Sequence, residues 1–224
     1  MHRFFKVVFF ALVVRPLVLV GLGLNVVNRR LLPGVGPAVI AANHNSHLDA
    51  LVLMSLYPLS KVHLVRPVAA ADYFLAHRLR AWFSLNVVGI IPIDRSGGTE
   101  IDRLFDGCRE ALDRGEILIL FPEGSRGDPE KMGRLHKGIG YLLRGREQTG
   151  ITPVVMHGLG RALPRGEALF VPFNCDVVIG QPLYSTGKSS QLTRQLSAAY
   201  DELFKHCLTR RTEDAPTAAS SSDE

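Results

Sequence analysis

The sequence predicts an α/β fold: a mostly parallel central sheet flanked by helices, behind an N-terminal apolar helical segment that anchors at a membrane. Three observations predict it. Short β-branched runs, most of them bounded by Gly or Pro, alternate with helix-like stretches along most of the chain, as repeated βα units do. At 224 residues and 46% hydrophobic the chain suits one domain with a full core, at the apolar end of the soluble range. The first 30 or so residues read basic, then apolar, then basic again.

Residues 1–30 form the membrane-associating segment. Arg3 and Lys6 precede an apolar run over 7–14, Arg15-Pro16 interrupts it, and a second run over 17–27 closes on Asn28-Arg29-Arg30. A spanning helix needs about 20 mostly apolar residues. The stretch 7–27 reaches that length only by burying Arg15 near its middle, and Pro16 would kink it. Two short helices in the interface fit better, with Arg3, Lys6, Arg15, Arg29 and Arg30 reaching anionic head groups. The alternatives are one spanning helix, a cleaved signal peptide, which lacks an Ala-x-Ala type of site, and, for 17–27, a helix buried in the core.

Residues 31–211 form the folded domain. Strands are expected over 37–42, 62–65, 88–93, 117–121, 153–156, 168–170 and 176–179, and helices over 50–56, 72–85, 100–114 and 138–146. The helix over 100–114 gathers Ile101, Leu104, Phe105, Cys108, Ala111 and Leu112 on one stripe. A last helix over 190–210 carries Leu192, Leu196, Ala199, Leu203 and Leu208. Residues 212–224, made of Ser, Ala, Thr and acid, read as a disordered tail.

The net charge is +5, and the tail holds Glu213, Asp214, Asp223 and Glu224 without a base, so the body is more basic than the whole. Such a body suits an anionic membrane surface or phosphate-bearing substrates. Nucleic acid is disfavoured, because no binding motif accompanies the charge. Cys108, Cys175 and Cys207 are far apart and form no CxxC, which indicates neither a disulfide framework nor a zinc site and points to a reduced, cytosol-facing protein.

The chemistry concentrates in Asn43-His44-Asn45-Ser46-His47-Leu48-Asp49. Residues five apart do not share a helix face, so His44 and Asp49 work together only if His44 lies before a helix that contains Asp49. Ser46 suits the N-cap, and Asp49 three residues on completes a capping box. Asp49 then reaches one imidazole nitrogen and leaves the other to accept a proton. The bland alternative is a strand-end His and a cap carboxylate. Backbone N–H groups at the start of that helix are candidate oxyanion donors. His44 with His47 suggests a metal pair, but no third ligand of suitable spacing follows, so no metal is expected. No Gly-x-Ser-x-Gly elbow marks a serine nucleophile.

Three further segments follow in order. Gly89-Ile90-Ile91-Pro92-Ile93-Asp94-Arg95 ends an apolar strand on an arginine suited to forking onto phosphate, or onto a strand-end salt bridge. Phe121-Pro122-Glu123-Gly124-Ser125-Arg126 stops a strand and turns tightly at Gly124, presenting Glu123 and Arg126 at the sheet edge where open α/β sheets bind ligands, or pairing them with each other. Ile151-Thr152-Pro153-Val154-Val155 carries no titratable group and reads as sheet core. Leu135-His136-Lys137-Gly138 places Lys137 near a helix start, as a phosphate ligand or an exposed lysine.

Together these blocks, over roughly residues 25–185, resemble the glycerolipid acyltransferase family, which includes bacterial 1-acylglycerol-3-phosphate acyltransferases. The resemblance implies direct acyl transfer with His44 as base and Asp49 as its partner. Arg95, Glu123, Gly124, Ser125, Arg126 and Lys137 then bind the acceptor. The expected acceptor is lysophosphatidic acid and the donor an acyl thioester of coenzyme A or acyl carrier protein, with no further cofactor. The expected place is the cytoplasmic face of the inner membrane, held peripherally or monotopically. Other acceptors (glycerol 3-phosphate, another lysophospholipid, a lyso-ornithine lipid), a lipid hydrolase and a non-catalytic lipid-binding module are the competing readings.

Overall fold

The computed structural model describes residues 2–46, 48–72, 77–94, 101–125, 132–162 and 173–213. One continuous helix opens the chain: α1 (His2–Phe9), a π-helical turn (Phe10–Val14) and α2 (Arg15–Gly21). Then come β1 (Leu22–Val27), β2 (Ala38–Ala42), α3 (Asp49–Ser55), β3 (Val65–Ala70), α4 (Arg78–Phe83) with a π-helical continuation (Ser84–Val88), and β4 (Ile91–Ile93). The rest is α5 (Ile101–Leu104), α6 (Asp106–Asp113), β5 (Ile117–Leu120), α7 (Gly138–Leu142), β6 (Gly150–His157), α8 (Leu159–Ala162), β7 (Phe173–Ile179), α9 (Ser189–Phe204) and α10 (Leu208–Glu213).

The strands form one seven-stranded sheet in the order β1-β7-β6-β2-β5-β3-β4. β6, β2, β5, β3 and β4 are parallel; β7 runs against β6, and β1 runs with β7. The mostly parallel sheet is therefore as expected. Side chains alternate between two cores, as period two dictates. Ala38, Ile40, Ala42, Ile117 and Ile119 pack under the opening helix and α3. Val39, Ala41, Leu118 and Leu120 pack under α6, α7 and α9. Both faces of β2 and β5 are covered, which is why Ala-Val-Ile-Ala-Ala and Ile-Leu-Ile-Leu are apolar throughout.

The N-terminal segment differs from the expected two interfacial helices. Pro16 breaks no helix, because it stands in the first turn of α2 and the π-helical turn before it closes with Arg15 N–H donating to Phe10 O. The helix ends at Gly21, and residues 22–27, expected as helix, pair along β7 as an edge strand. Phe10, Val14 and Val18 are buried in the core, while Phe4, Leu12, Leu19 and Val20 are well exposed. By length and composition the stretch Arg3–Gly21 could cross a membrane, but its charges are tied to the domain. Lys6 is buried and donates to Val65 O at 2.8 Å. Arg15 donates to Tyr57 O at 2.8 Å, and Arg29 to Leu56 O. Those two carbonyls follow the last turn of α3, where orphan acceptors favour cations.

Elsewhere the differences are local. Residues 62–64 form a 3-10 turn, and β3 runs on from Val65 through Pro67. Pro67 is tolerated where pairing passes from β5 to β4. Of the expected strand over 88–93, Val88 ends the π-helical stretch and Gly89 and Ile90 belong to no element, so β4 begins only at Ile91. The final helix breaks after Phe204 and resumes as α10, which takes in Thr212 and Glu213 of the expected tail. The expected strand over 168–170 and residues 214–224 lie outside the described residues.

Candidate active site

Residues 43–48 link β2 to α3 at the C-terminal edge of the parallel strands. Asp49, fully buried, organises this loop through one oxygen. Its Oδ2 accepts from His44 Nδ1 at 2.8 Å, from Asn45 N–H at 2.7 Å and from Ser46 N–H at 2.9 Å. The last of these is the reach-back half of the expected capping box. The other half differs: Ser46 Oγ accepts from Leu48 N–H at 3.3 Å, and the helix starts at Asp49. Asp49 Oδ1 is buried with no hydrogen-bond partner among the described residues. The carboxylate charge is therefore compensated chiefly on the side that faces the imidazole.

His44 is fixed on three sides. Its Nδ1 meets Asp49, its ring stacks on Phe121 with centroids 4.1 Å apart and planes 20° from parallel, and its backbone N–H donates to Glu123 Oε1 at 2.8 Å. The side chain keeps 21% exposure. With Nδ1 donating, Nε2 carries the lone pair, the tautomer a general base needs.

Glu123 is almost buried beside the His44 loop. Its Oε2 accepts from Gly133 N–H at 2.6 Å, so one carboxylate joins the His44 loop to the segment that precedes α7. A Cβ at Gly133 would stand 2.8 Å from that oxygen, so a larger residue there would displace the Glu123 carboxylate. Gly124 takes φ +74° in the turn after β5, as expected of a tight turn there. Ser125 is exposed beside it, and Lys137 is exposed at the start of α7, tied to the same turn by His136 N–H donating to Pro122 O at 2.8 Å. Arg95 and Arg126 lie outside the described residues, as does His47.

Sequence reasoning passed over Asn43 and Asn45. Asn43 Nδ2 donates to Met156 O at 2.8 Å while its Oδ1 accepts from Met156 N–H at 2.7 Å, and Asn45 Nδ2 donates to the same carbonyl at 2.8 Å. These bonds, each worth roughly 0.5–1.5 kcal/mol, bind the His44 loop to β6. Two amides flanking the histidine in the motif were the available signal. The oxyanion donors differ from expectation too. The amides of Asn45, Ser46, Leu48 and Asp49 all donate within the loop, so that part of the α3 start is spent on holding itself together.

An imidazole with an oriented tautomer at the carboxyl edge of a parallel sheet is suited to proton transfer, and proteins of similar sequence are named acyltransferases. The chain is 26% identical over 151 residues to a chloroplastic 1-acyl-sn-glycerol-3-phosphate acyltransferase of Arabidopsis thaliana, covering 67% of this chain and 40% of that protein. It is 28% identical over 163 residues to the 1-acyl-sn-glycerol-3-phosphate acyltransferase of Pseudomonas aeruginosa, covering 72% and 60%. The chain thus spans less than two thirds of the length of these relatives. The crystal structure of the 1-acyl-sn-glycerophosphate (LPA) acyltransferase of Thermotoga maritima shares the fold, with a TM-score of 0.67 at 16% identity over 89% of this chain and 78% of that one. The family model described as Acyltransferase matches residues 23–157, from β1 through the His44 loop and Glu123 to the end of β6, and on that match the chain belongs to the Acyltransferase family.

Proposed function

We propose that the chain transfers a fatty acyl group from an acyl thioester to the free hydroxyl of lysophosphatidic acid, giving phosphatidic acid. The observation that carries the reading is the 2.8 Å contact between His44 Nδ1 and buried Asp49, with the imidazole part-exposed at the sheet edge. The names of the relatives support the acceptor. His44 Nε2 takes the hydroxyl proton as the oxygen attacks the thioester carbonyl. The C–S bond breaks, the thiolate leaves, and the imidazolium returns the proton to it. Asp49 stabilises the imidazolium between those events. Arg95, Arg126 and Lys137 hold the acceptor's phosphate, Gly124 and Ser125 line its path, and Glu123 keeps the two loops in place.

The reading includes a membrane. The helix over 2–21 lies in the plane of the cytoplasmic leaflet, its buried stripe on the domain and its exposed stripe in lipid. The acceptor enters from the bilayer and the donor, an acyl-coenzyme A or an acyl carrier protein, from solution. The test is purified protein with a panel of lysolipids and glycerol 3-phosphate, one labelled acyl thioester, and products separated by mass. Phosphatidic acid from lysophosphatidic acid, in preference to the other acceptors, is expected. Free fatty acid as the main product would make the chain a hydrolase.

A further inference from the structure

The outer surface of α4 carries no function so far. Leu79, Trp82 and Phe83, three and four residues apart, share one helix face and are 86%, 52% and 38% exposed. This face adjoins the outer face of the N-terminal helix. Phe5 meets Trp82 edge to face with centroids 6.3 Å apart, and Phe9 meets Phe83 at 5.0 Å. The two helices therefore present one continuous apolar surface where they meet, and Phe4, Leu12, Leu19, Val20, Leu79 and Trp82 are strongly exposed along them, against Val35, Tyr184 and Leu208 elsewhere among the described residues.

Charge says what covers it. Residues 2–27 and 77–93 contain Arg3, Lys6, Arg15, Arg78 and Arg80 and not one acidic side chain. Lys6 and Arg15 are turned to backbone carbonyls of the domain. Arg3 and Arg78 are exposed, on the same two helices as the aromatic rings. Such an apolar face, with exposed cations and no acid in either helix, complements a bilayer of anionic lipid. Topology agrees. α4 follows the C-terminal end of β3, and α2 leads into β1 where β1 pairs with the start of β7, so both helices reach the sheet edge that bears His44.

We propose that α4 is a second membrane-binding element, which enters the lipid interface beside the N-terminal helix and sets the His44 edge against the bilayer. The proposal rests on the in-plane reading of residues 2–21. A partner of the same face in a protein complex is the rival occupant.

Trp82 is the chain's only tryptophan, so its fluorescence reports this face alone. The full chain is diluted from detergent into vesicles of phosphatidylethanolamine and phosphatidylglycerol, and sedimentation and emission are read together. Emission should shift to shorter wavelength, brominated acyl chains should quench it, and aqueous iodide should quench it less than without vesicles. Leu79→Glu should lower vesicle partition about tenfold, as the loss of one inserted leucine predicts, with turnover of a short, water-soluble acceptor retained. If the protein sediments while Trp82 stays open to iodide and untouched by brominated lipid, α4 faces water; the proposal is overturned and the N-terminal anchor stands. If nothing sediments, both fall. If the shift follows protein concentration without lipid, the occupant is a second copy of the chain and the proposal is overturned.

Discussion

Asp49 accepts three hydrogen bonds through one oxygen, and that economy separates the roles proposed for His44 and Asp49. His44→Ala removes the proposed base, one bond to Asp49 and the Phe121 stack, but leaves the backbone amides of the loop bonded to Asp49 and Glu123. The protein should therefore stay folded with a modestly lower unfolding temperature while turnover drops about 10²–10⁴-fold. A folded His44→Ala protein at near-normal rate would sink the mechanism. Asp49→Asn keeps an acceptor oxygen and should cost less turnover; Asp49→Ala orphans two buried amides and should also cost stability, roughly 1–3 kcal/mol for each group left unpaired. Both are read by turnover and thermal unfolding measured side by side. Glu123 makes a different prediction. A glutamine offers one acceptor oxygen where the carboxylate offers two, so Glu123→Gln frees either the His44 loop or the Gly133 segment. The expected result is a fall in kcat for both substrates with little change in the acceptor KM. A rise confined to the acceptor KM would instead put the Glu123 side chain in contact with that substrate.

At the scale of elements, the N-terminal helix is docked by a lysine that the sequence assigned to lipid head groups. Burial, then the neighbouring Arg66 guanidinium, pulls the Lys6 ammonium down to about 7, against a smaller opposing pull from Glu116. Lys6 in turn, after burial and Arg3, helps to hold His63 below its ordinary value. The unfolded chain keeps the ordinary lysine value, so the unfolded state binds the extra proton between pH 7 and 10.5. Stability should therefore rise with pH across that window, and the gain is lost as pH falls through 7. Lys6→Met should flatten the slope, most visibly as a smaller difference in thermal midpoint between pH 7 and pH 9.5. An unchanged slope would mean that Lys6 stays protonated in the fold.

Across the whole molecule, the N-terminal helix and the rest of the domain share one core. Removing residues 1–21 strips Phe10, Val14 and Val18 from the packed face of the sheet. At about 1.5–3 kcal/mol for each fully buried apolar side chain, the loss approaches the entire stability of an ordinary domain. The truncated protein should aggregate rather than become soluble, seen by size-exclusion chromatography. Leu12→Glu with Leu19→Glu, on the exposed stripe, should instead release a folded protein from membranes, with unchanged circular dichroism and a loss of vesicle sedimentation. Continued sedimentation of the double variant would place the anchor elsewhere. The sequence by itself determined the βα alternation, the buried strands and the His44–Asp49 pair, because hydrophobic period and local capping are short-range signals. It also made Gly124 legible as a turn. Only the tertiary structure decided the rest. Residues 22–27 are apolar enough for helix or strand, and pairing with β7, some 150 positions away in the chain, settles the choice. Arg15, Arg29 and Lys6 look like head-group ligands until distant backbone carbonyls claim them. Glu123 reads as an acid at the sheet edge, and only the fold shows that amides 79 and 10 residues away each bond one of its oxygens. In each case the deciding partner is remote in sequence, and a hydrogen bond or strand pair between remote segments leaves no periodic trace in either one.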